Sequence, residues 1–529
     1  MTYLDKDTQI TQAGQALTLN IDAISQLSAT IRNGLGPNGA TKMLITPAGE
    51  IRIVKDGLTL LRNIQLAQPG AVLLSKMVTQ QGTDYGDGVT SSTVIASAML
   101  NKALEFVFEG VHPQTIINGL VQKEKEVLRA LDGLKIPLDS ASEHIYNLGL
   151  TALRSKFAAP QAKKFSDLLV SAIKTVTENG STDLKMLEVV KMMNIDSTEP
   201  LRVVQGLVLD HGGRHPMMPK KLENVFILCT NLSFEYEKPE LNAQFYYSRT
   251  EDKLKMEEGE RRLMIERVQK VIGAMQEVAQ ANMSLHPQFM LITQKGIDQH
   301  ALEIFARYNV LALRRAKKRN MERLQRLTGC TPIGSISELT KDVFGFAGSV
   351  KEISVGEDKF TFVEKTPFER SCTLLVQGTS PYQLEYIEGA VKSALKSISC
   401  GLTDGGILPG GASVYYNLSQ TLEHPTTTSS LSPTQEHIAT TIWREGLLSV
   451  PRILSKNMGH NSVETLSKIK ASGIKHPTVE ASKGEIIDAL EHGIIDNFTV
   501  VENTIQASVL VSTKILMIDE IIRSGKEVK

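Results

Sequence analysis

Apolar residues recur at helical spacing from about residue 7 to 33 and again from 67 to 134, and short glycine-containing loops, "NGLGPNG" and "KDGLTLL", fall between the helices. The region 140–200 reads as further helix. Beyond it the texture changes. "ENVFILCTN" and "QFMLITQKG" are compact apolar runs, and "VLALRR" follows "IDQHALEIFARYN", which is the strand–helix–strand order of a parallel sheet. Between the first two runs, residues 249–280 predict a charged helix on which Met264, Val268, Val271, Ile272 and Met275 form a narrow apolar stripe. Helical texture returns after about residue 370, broken by "GGILPGGAS" and by a Thr/Ser/Pro-rich loop at 425–434. The pattern predicts helical segments at both ends and an α/β block in the middle. One helical domain built from both ends, with the α/β domain inserted into it, would satisfy that pattern.

Composition narrows the class of protein. A chain of 529 residues has room for about three domains. At 41% hydrophobic and 22% charged it can bury a sizeable core. Basic and acidic residues balance at 58 each, so no global charge points to nucleic acid or an anionic membrane. Cys229, Cys330, Cys372 and Cys400 lie far apart without a C-x-x-C pair, which fits a reducing compartment rather than a metal or disulfide framework. The N-terminal stretch does not read as a secretory leader, and no apolar run is long enough to span a bilayer. The cytosol is the expected location.

Candidate chemistry sits in the glycine-rich loops. In "GDGVTSSTVIASAML", residues 86–100, glycines would let the backbone approach a phosphate, and the helix that follows adds its positive dipole end. Thr90, Ser91 and Ser92 could cap that helix or bind phosphate oxygens. Asp87 is a hard oxygen ligand of the kind Mg²⁺ takes alongside phosphates and water. The same segment equally reads as an ordinary turn and helix start, and it lacks the G-K-[ST] ending of a Walker A motif. "LGPNG" at 35–39, "VKDGLTLL" at 54–61 with its carboxylate Asp56, and "LPGGAS" at 408–413 are further turns of this kind.

Taken in order, L-G-P-x-G, K-D-G, G-D-G and P-G-G resemble the motif series of the group II chaperonins, and the resemblance runs essentially end to end. "GLVLDHGGRHPMMPKKLENVFIL", "EYEKPELNAQFYYS", "QKGIDQHAL" and "VLALRRAKKRNMERL" look like the zeta-type subunits of the eukaryotic cytosolic chaperonin. The resemblance implies a multidomain α and α/β fold. A helical equatorial ATPase domain would comprise 1–145 and 401–529, a small intermediate domain 146–205 and 370–400, and an α/β apical domain 206–369. The apical domain would carry a helical protrusion at about 246–282, whose apolar stripe would meet neighbouring protrusions or clients. The implied cofactors are ATP or ADP with Mg²⁺. The implied partners are paralogous subunits in a hetero-oligomeric double ring and unfolded client proteins, with no nucleic acid and no membrane. Gly36 and Pro37 would lie by the phosphates, Gly86, Gly88, Thr90 and Ser91 would cradle them, and Asp87 would hold Mg²⁺. Asp56 would sit beside the attacking water, Lys156 in the nucleotide-sensing loop, Gly410 against the nucleoside and Asp496 at the ribose.

The sequence departs from that pattern where cleavage is concerned. The family supplies a water-orienting aspartate from a helix upstream of the P-G-G loop, and Ser393 stands at that position. Losing such a group typically costs about 10²–10⁴-fold in rate. Val89 replaces the first threonine of G-D-G-T-T, removing a hydroxyl. Ala412 replaces a glycine, with a methyl that could crowd the nucleoside, and Tyr415 replaces an acid. The expectation is a subunit that binds nucleotide and hydrolyses it weakly, with a fully active ATPase subunit as the alternative.

One basic run stands apart. "RRAKKRNMERLQR" sets Arg314, Arg315, Lys317, Lys318, Arg319, Arg323 and Arg326 against Glu322, while Leu313, Ala316, Leu324 and Leu327 read as its anchored face. It lacks aromatic residues for base stacking, so a nucleic-acid patch is the remote reading. The resemblance places this helix along the apical client groove, where the seven cations would favour acidic or polar client segments. A solvated helix face accounts for the pattern equally well.

Overall fold

The computed structural model describes residues 9–46, 49–138, 143–178, 181–194, 199–235, 250–283, 286–423 and 432–523. Residues 246–249 of the expected protrusion and 425–431 of the Thr/Ser/Pro-rich loop lie outside them. Two compact units divide the chain. One takes Met1–Val170, Gly180–Thr182 and Glu385–Lys529, and the other Ser171–Asn179 and Asp183–Leu384.

The unit that contains both chain ends is helical because its apolar residues keep helical spacing. Leu17, Ile21, Ile24, Leu27 and Ile31 line the buried side of the helix Ala13–Ile31. Val89–Phe108 is buried on several sides, through Val94, Ile95, Ala96, Met99 and Leu100, so it runs through the centre. Pro69–Tyr85, Pro433–Asn457 and Phe498–Leu516 pack against it, and Pro113–Gly133 packs on the last two. Trp443 is buried in this core and donates its indole N–H to Leu120 O at 3.3 Å. The strand Gly406–Pro409 lies between Ile136–Pro137 and Ile495–Asn497, with Leu408 opposite Asp496. A hairpin of Lys42–Ile45 and Ile51–Val54, not anticipated from the periodicity, exposes Met43, Ile45, Ile51 and Ile53.

The region 140–200 is only partly the helix its pattern suggests. Helices Glu143–Arg154 and Ala159–Val176 give way to short strands and then to Leu187–Met193, where "LEVVKMM" carries the β-branched residues a strand prefers.

The second unit is built on an eight-stranded sheet. Its strands run in the order Val310–Leu313, Gln288–Thr293, Lys221–Thr230, Gly345–Val355, Asp358–Glu364, Leu201–Leu209, Cys372–Gly378 and Leu187–Met193. The first three are parallel, with Leu291 opposite both Leu228 and Ala312, as the apolar runs predict. The charged helix is Thr250–Ala281. Its stripe does not face outward. Met264, Val268, Val271, Ile272 and Met275 join the core of this unit together with Phe234, Ala301 and Phe305, so the apolar face is already covered by its own chain. No helix among the described residues is long and apolar enough to cross a membrane.

Candidate functional site

The glycine-rich loops converge within the helical unit, and the glycines show how closely. Gly36 has a φ of 88°, a backbone state costly to any side chain, and a Cβ there would meet Leu454 at 2.5 Å. The Lys55 ammonium donates to Pro37 O at 3.0 Å and ties this loop to the K-D-G turn. Asp56 caps the helix Gly57–Asn63, accepting from Thr59 N at 3.3 Å and from Thr59 Oγ1 at 3.2 Å. A Cβ on Gly57 would lie 2.8 Å from Thr90 Oγ1, which sets the K-D-G turn directly against G-D-G-V-T.

The start of the helix Val89–Phe108 carries an anion-binding geometry. Its N-cap is Gly88, at φ 87°, and no side chain caps it. Of the hydroxyls read as possible caps, Ser92 is used elsewhere: its Oγ bonds Gln81 Oε1 at 2.6 Å and Gly88 O at 2.9 Å, and Gln81 Nε2 donates to Thr504 Oγ1 at 2.9 Å. The first-turn N–H groups therefore keep no side-chain partner from this cap, and the helix dipole adds positive potential at the same point. Val89 departs from its expected place in the cradle. It is buried, its methyls facing Gly82 and Gly57 in the core, so the missing hydroxyl is a matter of packing.

Asp87 is exposed at the head of this helix and accepts from Gly88 N at 2.8 Å. Asp496 lies near it, and burial, reinforced by the Asp87 charge, pushes the Asp496 carboxyl up to about 7. The exposed Asp87 carboxylate is a hard oxygen ligand of the kind a divalent cation takes. No group of three or more His, Cys, Asp or Glu side chains gathers among the described residues, so such a cation would take most of its ligands from phosphate and water. Gly410 donates its N–H to Ile494 O at 2.8 Å, beside the strand that carries Asp496. Ala412 sits at φ 69° as N-cap of Ser413–Thr421, and its methyl is buried in the core. Burial and the Asp496 charge push the Tyr415 hydroxyl up.

Ser393 makes a bridge. Lys156 Nζ donates to Ser393 Oγ at 2.7 Å, and Ser393 Oγ donates to Gly86 O at 2.6 Å. The hydroxyl links the Lys156 loop to the G-D-G loop, and a carboxylate could not donate the second bond. Tyr386, which the sequence reading missed, donates its hydroxyl to Lys156 O at 2.5 Å. Lys396, one turn beyond Ser393, donates to Thr83 O, and burial with the Lys156 charge lowers the Lys55 ammonium. Lys55 had a signal in "VKDG". Tyr386 and Lys396 had none, because their partners lie hundreds of residues away.

The basic run behaves differently from its sequence reading. The helix is Lys318–Thr328, so Leu313 belongs to a strand and Ala316 to the turn between, although both are buried with Leu324 and Leu327. Arg323 is removed from the client-facing set. It is fully buried and bonds Glu188 at 2.8 Å, Ser371 at 2.9 Å, Cys372 O at 2.7 Å and Thr373 at 2.8 Å. Arg319 spends its guanidinium on the carbonyls of Leu184, Lys185 and Leu187. Arg314 donates to Ile297 O, Arg315 pairs with Glu235, Lys317 with Asp210 and Arg326 with Asp183, while Lys318 stands 4.0 Å from Glu322. Beside the helix, Glu322, Gln325, Arg326, Phe368 and Arg370 line a cavity of about 530 Å³.

Comparison with known proteins agrees with this arrangement of loops. The sequence pattern of the TCP-1/cpn60 chaperonin family matches residues 27–526. T-complex protein 1 subunit zeta-2 of Homo sapiens is 35% identical over 527 residues, covering 99% of this chain and 98% of its own length. Its Mus musculus counterpart is 34% identical over 522 residues, covering 98% and 97%. These relatives bear out the zeta-type resemblance, and with the match extending over nearly the whole sequence the chain belongs to the TCP-1/cpn60 chaperonin family.

Proposed function

We propose that this chain is a nucleotide-binding subunit of a hetero-oligomeric, client-folding chaperonin double ring, and that it hydrolyses ATP weakly. The observation that carries the reading is the uncapped, glycine-entered start of the helix Val89–Phe108 with Asp87 at its head. An ATP or ADP phosphate would take the free N–H groups of residues 89–91, with Gly36, Pro37, Gly86, Gly88, Thr90 and Ser91 around it. Asp87 would hold Mg²⁺, whose chemistry there is to offset phosphate charge. Lys156 offers a cation to the phosphates, Asp56 a carboxylate beside the reacting region, and Gly410 and Asp496 a nucleoside edge. In domain terms, 1–145 with 401–529 would be equatorial, 146–205 with 370–400 intermediate, and 206–369 apical.

Weak hydrolysis follows from Ser393. Its hydroxyl is neutral at working pH, its one proton is donated to Gly86 O, and one of its lone pairs is taken by the Lys156 ammonium. It carries no negative charge with which to polarise water or take its proton. The test is steady-state and single-turnover ATPase of assembled rings that carry Ser393→Asp in this subunit alone. Turnover at this subunit's own site that rises toward the 10²–10⁴-fold or so expected for a restored orienting group, seen as an added single-turnover phase above that of the paralogous subunits, supports the reading. An unchanged rate favours a fully active wild-type subunit and refutes it.

The exposed apolar side of the hairpin Lys42–Val54 supports paralogous subunits as partners, since four large apolar side chains in one ribbon mark a contact surface. Client contact is proposed for the outer side of Lys318–Thr328, through Lys318 and Arg326 together with Arg314, Arg315, Lys317 and the aliphatic stem of Arg319. Most of these cations already have internal partners, which leaves little free charge for a phosphate backbone and disfavours nucleic acid. The cytosol is the proposed location.

A further inference from the structure

Cys229 and Cys330 are 101 residues apart in sequence, yet their Sγ atoms lie 2.8 Å apart in a hydrogen bond. Both are free thiols and both are buried. Cys229 is the penultimate residue of the strand Lys221–Thr230. Cys330 directly follows Gly329, the left-handed C-cap of the helix Lys318–Thr328. The segment after Cys330 is already docked along that strand, because Ile333 N donates to Cys229 O at 3.1 Å and Asn231 N to Ile333 O at 2.9 Å. Little backbone movement is then needed to bring the two sulfurs to bonding distance. Cys330, buried as it is, borders the 530 Å³ cavity together with Arg326 and Arg370, and that is the side from which a small oxidant would approach.

We propose that Cys229 and Cys330 form a dithiol site that hydrogen peroxide, or a peroxide of similar size, converts to a disulfide. Cys330 is the attacking sulfur. Its thiol is held below its ordinary value by the bond it shares with Cys229, against the effect of burial, and of the two it is the one on the cavity wall. Its thiolate attacks one peroxide oxygen and the O–O bond breaks. A proton completes the departing water, and Cys330 becomes a sulfenic acid. Cys229 then attacks that sulfur, the S–O bond breaks, and the leaving hydroxide takes the Cys229 proton as a second water. Two thiols and one peroxide thus give one disulfide and two waters. Cys372 is no competitor, because burial pushes its thiol up to about 11. The product would fasten the C-terminal end of the basic helix to the central sheet.

The test takes the reduced full-length chain through graded hydrogen peroxide, alkylates the remaining thiols in denaturant, and maps peptides without reductant. The expected result is a linkage between the peptides of Cys229 and Cys330, reversed by dithiothreitol, at a lower peroxide dose than oxidises Cys400. Free alkylation of Cys229 and Cys330 at doses that already oxidise Cys400 overturns the proposal, as does sulfinic acid on Cys330 without a linkage. In Cys229→Ser, which keeps a hydroxyl beside Cys330 but cannot close the linkage, Cys330 should accumulate as a dimedone-trapped sulfenic acid, and a folded variant without that adduct overturns the order of attack. The wild-type peptide map decides the proposal even if the variant fails to fold.

Discussion

Replacing Arg323 by methionine isolates what the most buried residue of the basic run does. Its guanidinium is fully enclosed and serves Glu188, Ser371, Cys372 O and Thr373 together. Ser371 keeps a second bond, to Met186 O, and Thr373 keeps Val208 N and Gly206 O. The groups left stranded are the largely buried Glu188 carboxylate and the carbonyl of Cys372. Removing one partner of such a pair costs about 3–5 kcal/mol, a large part of the roughly 5–15 kcal/mol that holds a domain together. The loss should be confined to the unit Asp183–Leu384. Hydrogen exchange of the full chain should then show amides in Leu187–Met193, Leu201–Leu209 and Cys372–Gly378 losing about 10²–10⁴-fold in protection. Trp443, in the core of the other unit, supplies an internal control, and its urea-dependent fluorescence should not move. Arg323→Met with Glu188→Leu should recover part of the loss, because no uncompensated charge remains. Lys318→Ala, at the solvent-facing side, should stay within about 0.5 kcal/mol. Unchanged protection in Arg323→Met would mean that the arginine is not structural and would return it to the client-facing set.

Three further outcomes follow from the same reasoning. The Asp496 carboxyl is raised in the folded state to about 7, so the folded chain binds more protons than the unfolded one above the unfolded value near 4. Its contribution to stability is complete below about pH 4 and is lost as pH rises through 7; Asp496→Asn should flatten that limb of the Trp443 urea midpoint, and a wild-type midpoint that rises over the same range would contradict it. Val89→Thr should cost about 1–2 kcal/mol by burying a hydroxyl among Gly82 and Gly57 while leaving the affinity for a fluorescent ATP analogue unchanged, and tighter binding would show that a ligand was missing after all. Met43→Asp with Ile45→Asp should leave the fold stable to within about 0.5 kcal/mol and reduce co-assembly with paralogous subunits in native mass spectrometry; undiminished assembly would remove the hairpin from the interface.

Local rules made the parallel strands and the central helices legible, because "ENVFILCT" and "QFMLIT" bury both faces and the Val89–Phe108 segment repeats its apolar residues at helical spacing. Other elements depended on distant partners. Ser393 reads as an absence in sequence, whereas in the fold it is a bridge between residues 237 and 307 positions away. The stripe from Met264 to Met275 announces burial but not what buries it, so a surface for neighbours was expected where the chain covers itself. Arg323 did have a periodic signal, being spaced with Asn320 and Leu327 on the inner side of its helix, but its charge argued for solvent. The hairpin at 42–54 lacks the inward alternation that announces a strand, because its apolar side is exposed.

The brace behind the G-D-G loop imposes an order on biogenesis. Gln81, which holds Ser92, is itself held by Thr504, 423 residues further along. At about 5–20 residues per second, a ribosome needs roughly 20–80 s to make the intervening chain. Over that interval the loop has its glycines and Asp87 but no floor, while the last strand of the eight-stranded sheet, Cys372–Gly378, is finished 126 residues before Thr504 is made. A nascent chain would therefore carry a foldable sheet unit long before it could grip a nucleotide, and nucleotide capture becomes a late mark of a completed subunit.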